Sequence, residues 1–533
     1  MTASRMTAQR NQSPFPGARS YRSDEDLLFF GRSAESERLT ETWQRHRVTV
    51  LHGPAGIGKT SLLAAGVLPR LRRSGRTVPP LGGVAPDPRF PTAALPSHNA
   101  AAQALLRSWA PAERPTAMVH TSVAAYLHQL CTGSGGALVA VDQAENLFRT
   151  VEPEQRRRLL SELNVAVRSD STVNVLFSVR NDHLPRLLAE LPFPEITRVS
   201  LDGLDDAAAT SAIRDAIGGR VGGRELAAGT AEALVTDLMT VRLVGGSGDR
   251  TTYREDRTSP TLVQQAGAAL WRRWRERGQV TRDQVSRRAV DRWLADSLWD
   301  AVCWAAEAFD RDPAHLCRRL ADVFVTPAGH GRTASPDEAG LPEGLLRALQ
   351  DRHLLDGRPG DPSVSFSVGD GRLLEPLTEL ARQAATREPR LLSVSDRFRF
   401  AVRALIDADG QSAERHAVIA AESAEEPTVR AGAEILLGNL AFERQDYPTA
   451  EKHYRQAAVL AETVQDQEMV GALLAAIGRM HRLSGDSTGA LALLQSASAR
   501  LPGDRTVRNE LARAFAESGE PRAAAAVLAQ EPG

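Results

Sequence analysis

The stretch from Val48 to Leu71 limits what this chain can fold into more than any other. Val48–His52 is a short β-branched and apolar run, Gly53-Pro-Ala-Gly-Ile-Gly-Lys59-Thr60-Ser61 follows directly, and Leu62–Leu71 is an apolar helical stretch. Strand, glycine loop and helix in that order build a phosphate-binding loop, because backbone N–H groups and a helix N-terminus then converge on one anion. Within such a loop Gly53, Gly56 and Gly58 admit the close backbone approach, Lys59 reaches the β- and γ-phosphates, and Thr60, followed by Ser61, ligates Mg²⁺. The expected cofactors are ATP/ADP and Mg²⁺, with the choice between ATP and GTP left open by the loop itself. The expected scaffold is a parallel α/β sheet. Composition supports the assignment independently: of 65 basic residues only Lys59 and Lys452 are lysines and all others are arginine. Lysine at 59 stands against that bias, as a site needing a compact ammonium rather than a planar guanidinium would require.

A phosphate loop needs an acid on a neighbouring buried strand. Ala137-Leu-Val-Ala-Val141 is an apolar run that ends at Asp142, the candidate for the Mg²⁺ side of the site. The next residue is Gln143, and the following acid comes only at Glu145. A water-activating glutamate immediately after the aspartate is therefore missing, and slow NTP hydrolysis is expected. Val173–Val179 reads as a third strand, with Arg180 at its carboxyl end as a candidate γ-phosphate sensor.

These residues together resemble the STAND class of signal-transduction NTPases, and its bacterial novel STAND branch in particular. The resemblance rests on Pro14-Phe-Pro-Gly17, on Phe29-Phe-Gly-Arg32 with Glu35 and Glu37, on the phosphate loop, on Asp142-Gln-Ala-Glu145 and on Arg180-Asn-Asp182. It implies that Phe30, Gly31 and Arg32 lie in the nucleotide pocket. It also implies that Thr258–Trp271 begins a helical lid, and that Leu345–Leu355 with the β-run Val364–Phe366 forms a winged-helix unit. Relatives carry His-Asp where this chain has Gly369-Asp370. In them the histidine contacts the β-phosphate of ADP and holds the closed state. Gly369 cannot do so, which implies a weaker lock or a different locking residue.

Toward the carboxyl end, Leu437-Gly438, Ala450, Tyr454 and Ala457 recur as Ile477-Gly478, Ala490, Leu494 and Ala497, then as Leu511-Ala512 and Ala524. The offsets are 40 residues (438 to 478) and 34 residues (478 to 512). Small residues where helices would cross, with Gly485 and Gly519 at turns, resemble tetratricopeptide repeats, which present a concave face to a protein or peptide ligand. Leu391–Val429 fits a degenerate first helix pair.

The expected fold class is thus multidomain α/β plus α: a P-loop NTPase sheet, a helical lid, a winged-helix-like unit and a TPR-like α-solenoid. The expected boundaries are 1–12 for a disordered N-terminus, 13–200 for the NTPase core, 201–290 for the lid, 291–385 for the winged-helix-like domain and 391–533 for the repeats. Pro79–Pro96 reads as a surface loop and Val244–Thr258 as a flexible insertion. A net charge of −1 leaves no global basic field for nucleic acid. The arginine-rich Trp271–Arg277 and Arg287, Arg288 and Arg292 read as the solvated side of packed helices. Cys131, Cys303 and Cys317 form no metal or disulfide spacing and read as reduced core residues. With neither a secretion signal nor an eighteen-residue apolar run, the expected location is cytoplasmic, away from membranes. The functional expectation is a switch that senses a partner through the repeats and self-associates when ATP replaces ADP. A separate effector protein would then give the output. The competing expectations are a winged-helix transcriptional regulator and a repeat adaptor with a vestigial ATPase.

Overall fold

The structure is a computed structural model that describes residues 13–529 apart from 18, 74, 86, 97–98, 115, 133–134, 219–225, 245–249, 278–281, 283–284, 361–363, 391–392 and 408. The expected disordered stretch 1–12 lies outside the described residues. The chain forms two compact units that interleave in sequence. The first takes residues 1–81, 129–145 and 167–391, and the second takes 82–128, 146–166 and 392–533.

At the centre of the first unit is a four-stranded parallel sheet of β1 (Val48–Gly53), β2 (Ala137–Val141), β3 (Val173–Arg180) and β4 (Thr197–Ser200). Its strand order is β2-β3-β1-β4. Nearly every residue of β1, β2 and β3 is buried, the pattern of strands covered on both faces. Helix α1 (Ser33–Arg45) lays Leu39 and Trp43 against Leu51, Leu63 and Leu176. Each such fully buried side chain stabilises the layer by about 1.5–3 kcal/mol. The helix after the phosphate loop opens at Lys59–Ser61, widens to π-helix over Leu62–Val67 and closes at Leu68–Leu71, with all six π residues buried.

Beyond the sheet, α2 (Asp206–Gly218) leads to a hairpin of β5 (Thr240–Val244) and β6 (Arg250–Arg254). The stretch expected to be a flexible insertion therefore carries a strand: Thr251, Thr252 and Tyr253 are β-formers that pair with Leu243, Arg242 and Val241, and 245–249 lies outside the described residues. Helix α3 (Pro260–Arg277) follows, with Trp271 buried as expected; the side chains of 274–277 lie outside the described ones. Arg287 is spent on Glu375 and Asp291. Helix α4 (Glu343–Asp351) then runs into the antiparallel hairpin β7 (Leu355–Arg358) and β8 (Ser365–Val368). Cys303 and Cys317 are buried free thiols, whereas Cys131 is only half-buried.

The second unit contains the helices α5 (Pro427–Glu443), α6 (Tyr447–Thr463), α7 (Gln467–Leu483), α8 (Ser487–Arg500), α9 (Arg505–Glu517) and α10 (Pro521–Ala529). They are preceded by helices at Val394–Ile406 and Gly410–Ser423. The spaced small residues sit where neighbouring helices meet. A Cβ on Gly438 would come within 2.5 Å of the Tyr454 ring, and one on Gly478 within 2.8 Å of Leu494 Cγ. The period has a local cause: Asp446, Asp466 and Asp486, 20 residues apart, each cap the next helix by accepting from the backbone N–H three residues on. Such a cap adds about 1 kcal/mol per helix. Two capped helices make the offset of 40; Asp504 caps α9 18 residues after Asp486, which shortens the next helix pair to 38 (466 to 504), so Leu511-Ala512 sits about one turn earlier in its helix than Ile477-Gly478 does.

Pro79–Pro96 is not a surface loop along its whole length. Phe90, Ala93, Ala94 and Leu95 are buried in the apolar cluster of the second unit together with Ile435, Tyr454 and Leu473. A proline-rich stretch lacks the periodicity that would mark it as core, so burial against another element overrides its loop-like composition.

Candidate nucleotide site

Strand β3 lies between β1 and β2, so the carboxyl ends of all three open onto one crevice. Gly53 stands in register with Arg180, and Val141 with Phe177. Loop, acid and arginine, separated by some 130 residues of sequence, thus meet at one sheet edge, the usual position of a ligand in an open parallel sheet.

The loop folds as its sequence demands. Gly56 and Gly58 hold φ of 69° and 89°, left-handed backbone that suits glycine. Lys59 curls over the loop and donates from Nζ to the carbonyls of Gly53 and Pro54, each at 2.8 Å. Burial pushes its ammonium down to about 8, against the pull of Glu145. A bound phosphate would reverse that penalty. Thr60 donates from Oγ1 to Asp142 Oδ2 at 2.7 Å, which places the hydroxyl and carboxylate expected on Mg²⁺ side by side. Burial raises the Asp142 carboxyl, while its Oδ1 is buried without a well-formed hydrogen bond. Ser178 lies close enough to act on that carboxylate electrostatically but not in hydrogen-bond geometry. An orphaned carboxylate oxygen beside a threonine hydroxyl is a donor set that fits Mg²⁺, whose remaining ligands come from phosphates and water. Among the described residues no cluster of three or more His, Cys, Asp or Glu side chains would cage a metal without that help.

Ser61 accepts the backbone N–H of Tyr21 at 3.2 Å, and the Tyr21 hydroxyl is itself bonded to Pro14 and Gln264. The N-terminal segment is thereby fastened to both the loop helix and α3. Arg32 is buried and donates to Glu35, to the Asp202 carbonyl at 2.6 Å and to the Ile57 carbonyl at 3.4 Å. Gly31, at φ 78°, packs against the Ala208 carbonyl of α2, and Phe30 is half-buried. Arg32 therefore braces the loop from beneath.

Glu145 and Arg180 come together rather than standing apart over the phosphates. Arg180 Nε lies 3.0 Å from Glu145 Oε1, and Arg180 Nη2 lies 2.6 Å from Asp351 Oδ1 at the end of α4. Burial alone would lower the guanidinium pKa, but the two carboxylates raise it. Asp182 holds Arg347 of α4 at 2.5 Å. Burial works to raise its pKa, but His183 and Arg347 hold the carboxyl below its ordinary value.

Sequence reasoning missed the turn from α4 to β7, Asp351-Arg-His353-Leu-Leu-Asp356. Asp356 Oδ1 accepts the Ala55 N–H of the phosphate loop at 3.3 Å. His353 takes φ 62°, and a Cβ on Gly56 would lie 2.6 Å from its Nδ1, which is buried without a partner. Burial, with Arg180 adding to it, pushes this imidazole down to about 4, so it is neutral at pH 7. Thr261, in the first turn of α3, donates to the Gly56 carbonyl at 2.9 Å. The one available signal was four polar residues, Asp351, Arg352, His353 and Asp356, around the apolar pair Leu354-Leu355 at a helix end. Gly369 lies one layer back, donating to the Leu354 carbonyl, with Asp370 capping the next turn.

No curated protein matches the chain. Among solved structures, a Walker-type ATPase of Pyrococcus abyssi is 16% identical, with 67% of this chain and 98% of that chain covered at a TM-score of 0.41. A STAND protein with a tetratricopeptide repeat sensor from Pyrococcus horikoshii is 12% identical, with 92% of this chain and 82% of that chain covered at a TM-score of 0.28. The family model described as Novel STAND NTPase 1 matches residues 14–328, more than half of the chain. The chain belongs to the novel STAND NTPase 1 family.

Proposed function

We propose that the chain is a nucleotide switch: it rests with ADP under the α4–β7 turn, exchanges it for ATP when a partner engages the C-terminal helices, and then self-associates. The observation that carries this reading is the engagement of the phosphate loop and Arg180 by one turn, through Asp356 on Ala55 and Asp351 on Arg180. An arginine paired with Asp351 is withheld from a γ-phosphate, and a loop N–H paired with Asp356 is withheld from a phosphate oxygen. Triphosphate and closed turn therefore compete for the same groups. Mg²⁺ held by Thr60 and Asp142 would neutralise phosphate charge. With Glu145 tied to Arg180, water activation is poor and turnover slow, so the nucleotide state persists long enough to signal. Residues 201–385 would serve as lid and winged-helix-like domain, and the helices after 391 as TPR-like repeats. Size-exclusion chromatography tests the switch: a large species with a non-hydrolysable ATP analogue and a monomer with ADP is the expected pair. A monomer under both conditions would sink it.

His353 takes the place of the family's locking histidine in this proposal. Its unpartnered Nδ1 beside Gly56 suits a contact with the β-phosphate of ADP. His353→Ala is expected to release ADP about tenfold faster, the cost of one lost hydrogen bond to a charged group. Stopped-flow release of a fluorescent ADP measures this, and an unchanged rate would return the histidine to a packing role. The same residue sets a pH dependence. Its folded pKa, about 4, lies below the ordinary 6.5, so the unfolded chain binds the proton first as pH falls. Stability is then lost between pH 6.5 and 4, by about 2 kcal/mol once the half-buried setting of the residue is allowed for. Lys59, Arg180 and Arg352 face the ring as cations and Asp351 as the anion. Melting curves of His353→Gln should be flatter than those of the parent over that window.

A further inference from the structure

Within the second unit, the segment Pro88–Leu95 is held by its main chain. Asn439, buried on α5, donates from Nδ2 to the Phe90 carbonyl at 3.0 Å and the Pro88 carbonyl at 3.3 Å. Its Oδ1 accepts the Thr92 N–H at 2.9 Å, the Thr92 hydroxyl at 3.2 Å and the Tyr454 hydroxyl at 2.8 Å. One repeat later, Arg479 on α7 donates from Nη1 to the Ala93 carbonyl at 3.1 Å and also to the Leu95 carbonyl. Asn439 and Arg479 are 40 residues apart and each follows the crossing glycine of its repeat, Gly438 or Gly478. They are the same position in successive units, projecting into the same groove.

Side chains of the segment add mainly apolar contact, with the Arg107 guanidinium 4.9 Å over the Phe90 ring. Phe90, Ala93, Ala94 and Leu95 enter the cluster of Ile435, Leu473 and Ile477, while Arg89 stays exposed. Thr92 alone is read through a side-chain hydrogen bond. Closing an ordinary core does not call for a buried asparagine that spends both donor and acceptor on a passing backbone. Recognising a peptide does, because main-chain bonds then give affinity and apolar pockets give selectivity.

We propose that the groove of α5 and α7 is a peptide-recognition site whose resident occupant is the chain's own Pro88–Leu95, and that the partner is an external segment of like chemistry. Such a segment is uncharged at its inward positions, with an aromatic residue before Pro-Thr, two small residues and a leucine. Its consequence for signalling rests on the switch reading above; the binding itself does not. The resident segment lies in sequence between the phosphate-loop helix and β2. The tether gives the resident a high effective concentration, so a free peptide should bind the intact chain about 100-fold more weakly than a chain whose resident has been disabled.

The test uses the full chain and the labelled peptide Pro-Arg-Phe-Pro-Thr-Ala-Ala-Leu, followed by fluorescence anisotropy. Phe90→Ala/Leu95→Ala, which weakens the resident, is expected to bind the peptide at least about tenfold more tightly than the parent. Adding Asn439→Ala and Arg479→Ala should then weaken it by about 10- to 100-fold. Binding that is absent from every folded variant, or equal in all of them, would overturn the proposal. If Phe90→Ala/Leu95→Ala does not fold, hydrogen exchange on the parent decides. Faster exchange at Thr92 under millimolar peptide supports displacement, and unchanged protection refutes it. Fluorescent ADP titrated into the same samples separates the two readings: lost nucleotide binding with retained peptide binding sinks the switch and leaves the groove.

Discussion

Lys59→Ala is expected to abolish measurable nucleotide binding. The ammonium is desolvated in the resting loop and satisfied only by the Gly53 and Pro54 carbonyls, dipoles that cannot match a phosphate. When phosphates arrive, the same charge forms charge-assisted bonds, the strong class of hydrogen bond. Truncating one side of such a buried pair costs about 2–5 kcal/mol, a loss of roughly 30- to 5,000-fold in affinity. Lys59→Arg should fail nearly as badly, because a planar fork does not fit between two carbonyls that a point charge spans. Titration with a fluorescent ADP reads both variants. Affinity unchanged in Lys59→Ala would remove the phosphate site from this loop altogether.

The legible parts of this molecule were those with a local cause. Strand, glycine loop and helix at 48–71 are dictated by neighbouring residues, and so are the apolar runs that become β2 and β3. The repeat spacing was legible for the same reason, since Gly438 and Gly478 must be small where Tyr454 and Leu494 cross them. The aspartates at 446, 466 and 486 make the period of 20 plain in hindsight. What stayed hidden depends on partners far away in sequence. Asp351, His353 and Asp356 carry no motif, and only folding brings them to a loop 300 residues earlier. Arg180 was legible as a strand-end arginine, but its sequestration by Glu145 and Asp351 was not. Pro88–Leu95 misled because proline-rich composition predicts solvent, and the burial of Phe90 and Leu95 follows from the backbone capture by Asn439 and Arg479.

The ionic group of Arg180, Glu145 and Asp351 sets up the second large effect. Arg180→Ala leaves Glu145, 3% exposed, and Asp351 without their shared counter-ion. Removing one member of a buried ionic group costs about 3–5 kcal/mol, and because Lys59 still acts on Glu145 and Asp351 is only half-buried, the loss here should lie at about 3 kcal/mol or below. The cost falls on the arrangement in which Asp351 closes over the sheet edge, so thermal stability should drop. A further Asp351→Ala should recover part of it, since the two groups are directly coupled. The functional effect separates sensor from brace. A γ-phosphate sensor is dispensable for ADP, so Arg180→Ala should keep ADP affinity within about threefold, under 1 kcal/mol. It should nevertheless lose the large species formed with the ATP analogue. Asp351→Asn makes the opposite change, weakening the hold on Arg180 while keeping its shape, and should form that species at lower analogue concentration. Equal loss of ADP and ATP-analogue binding in Arg180→Ala would mark the arginine as a brace for Glu145. The turn from α4 to β7 would then hold the loop through Asp356 and His353 alone.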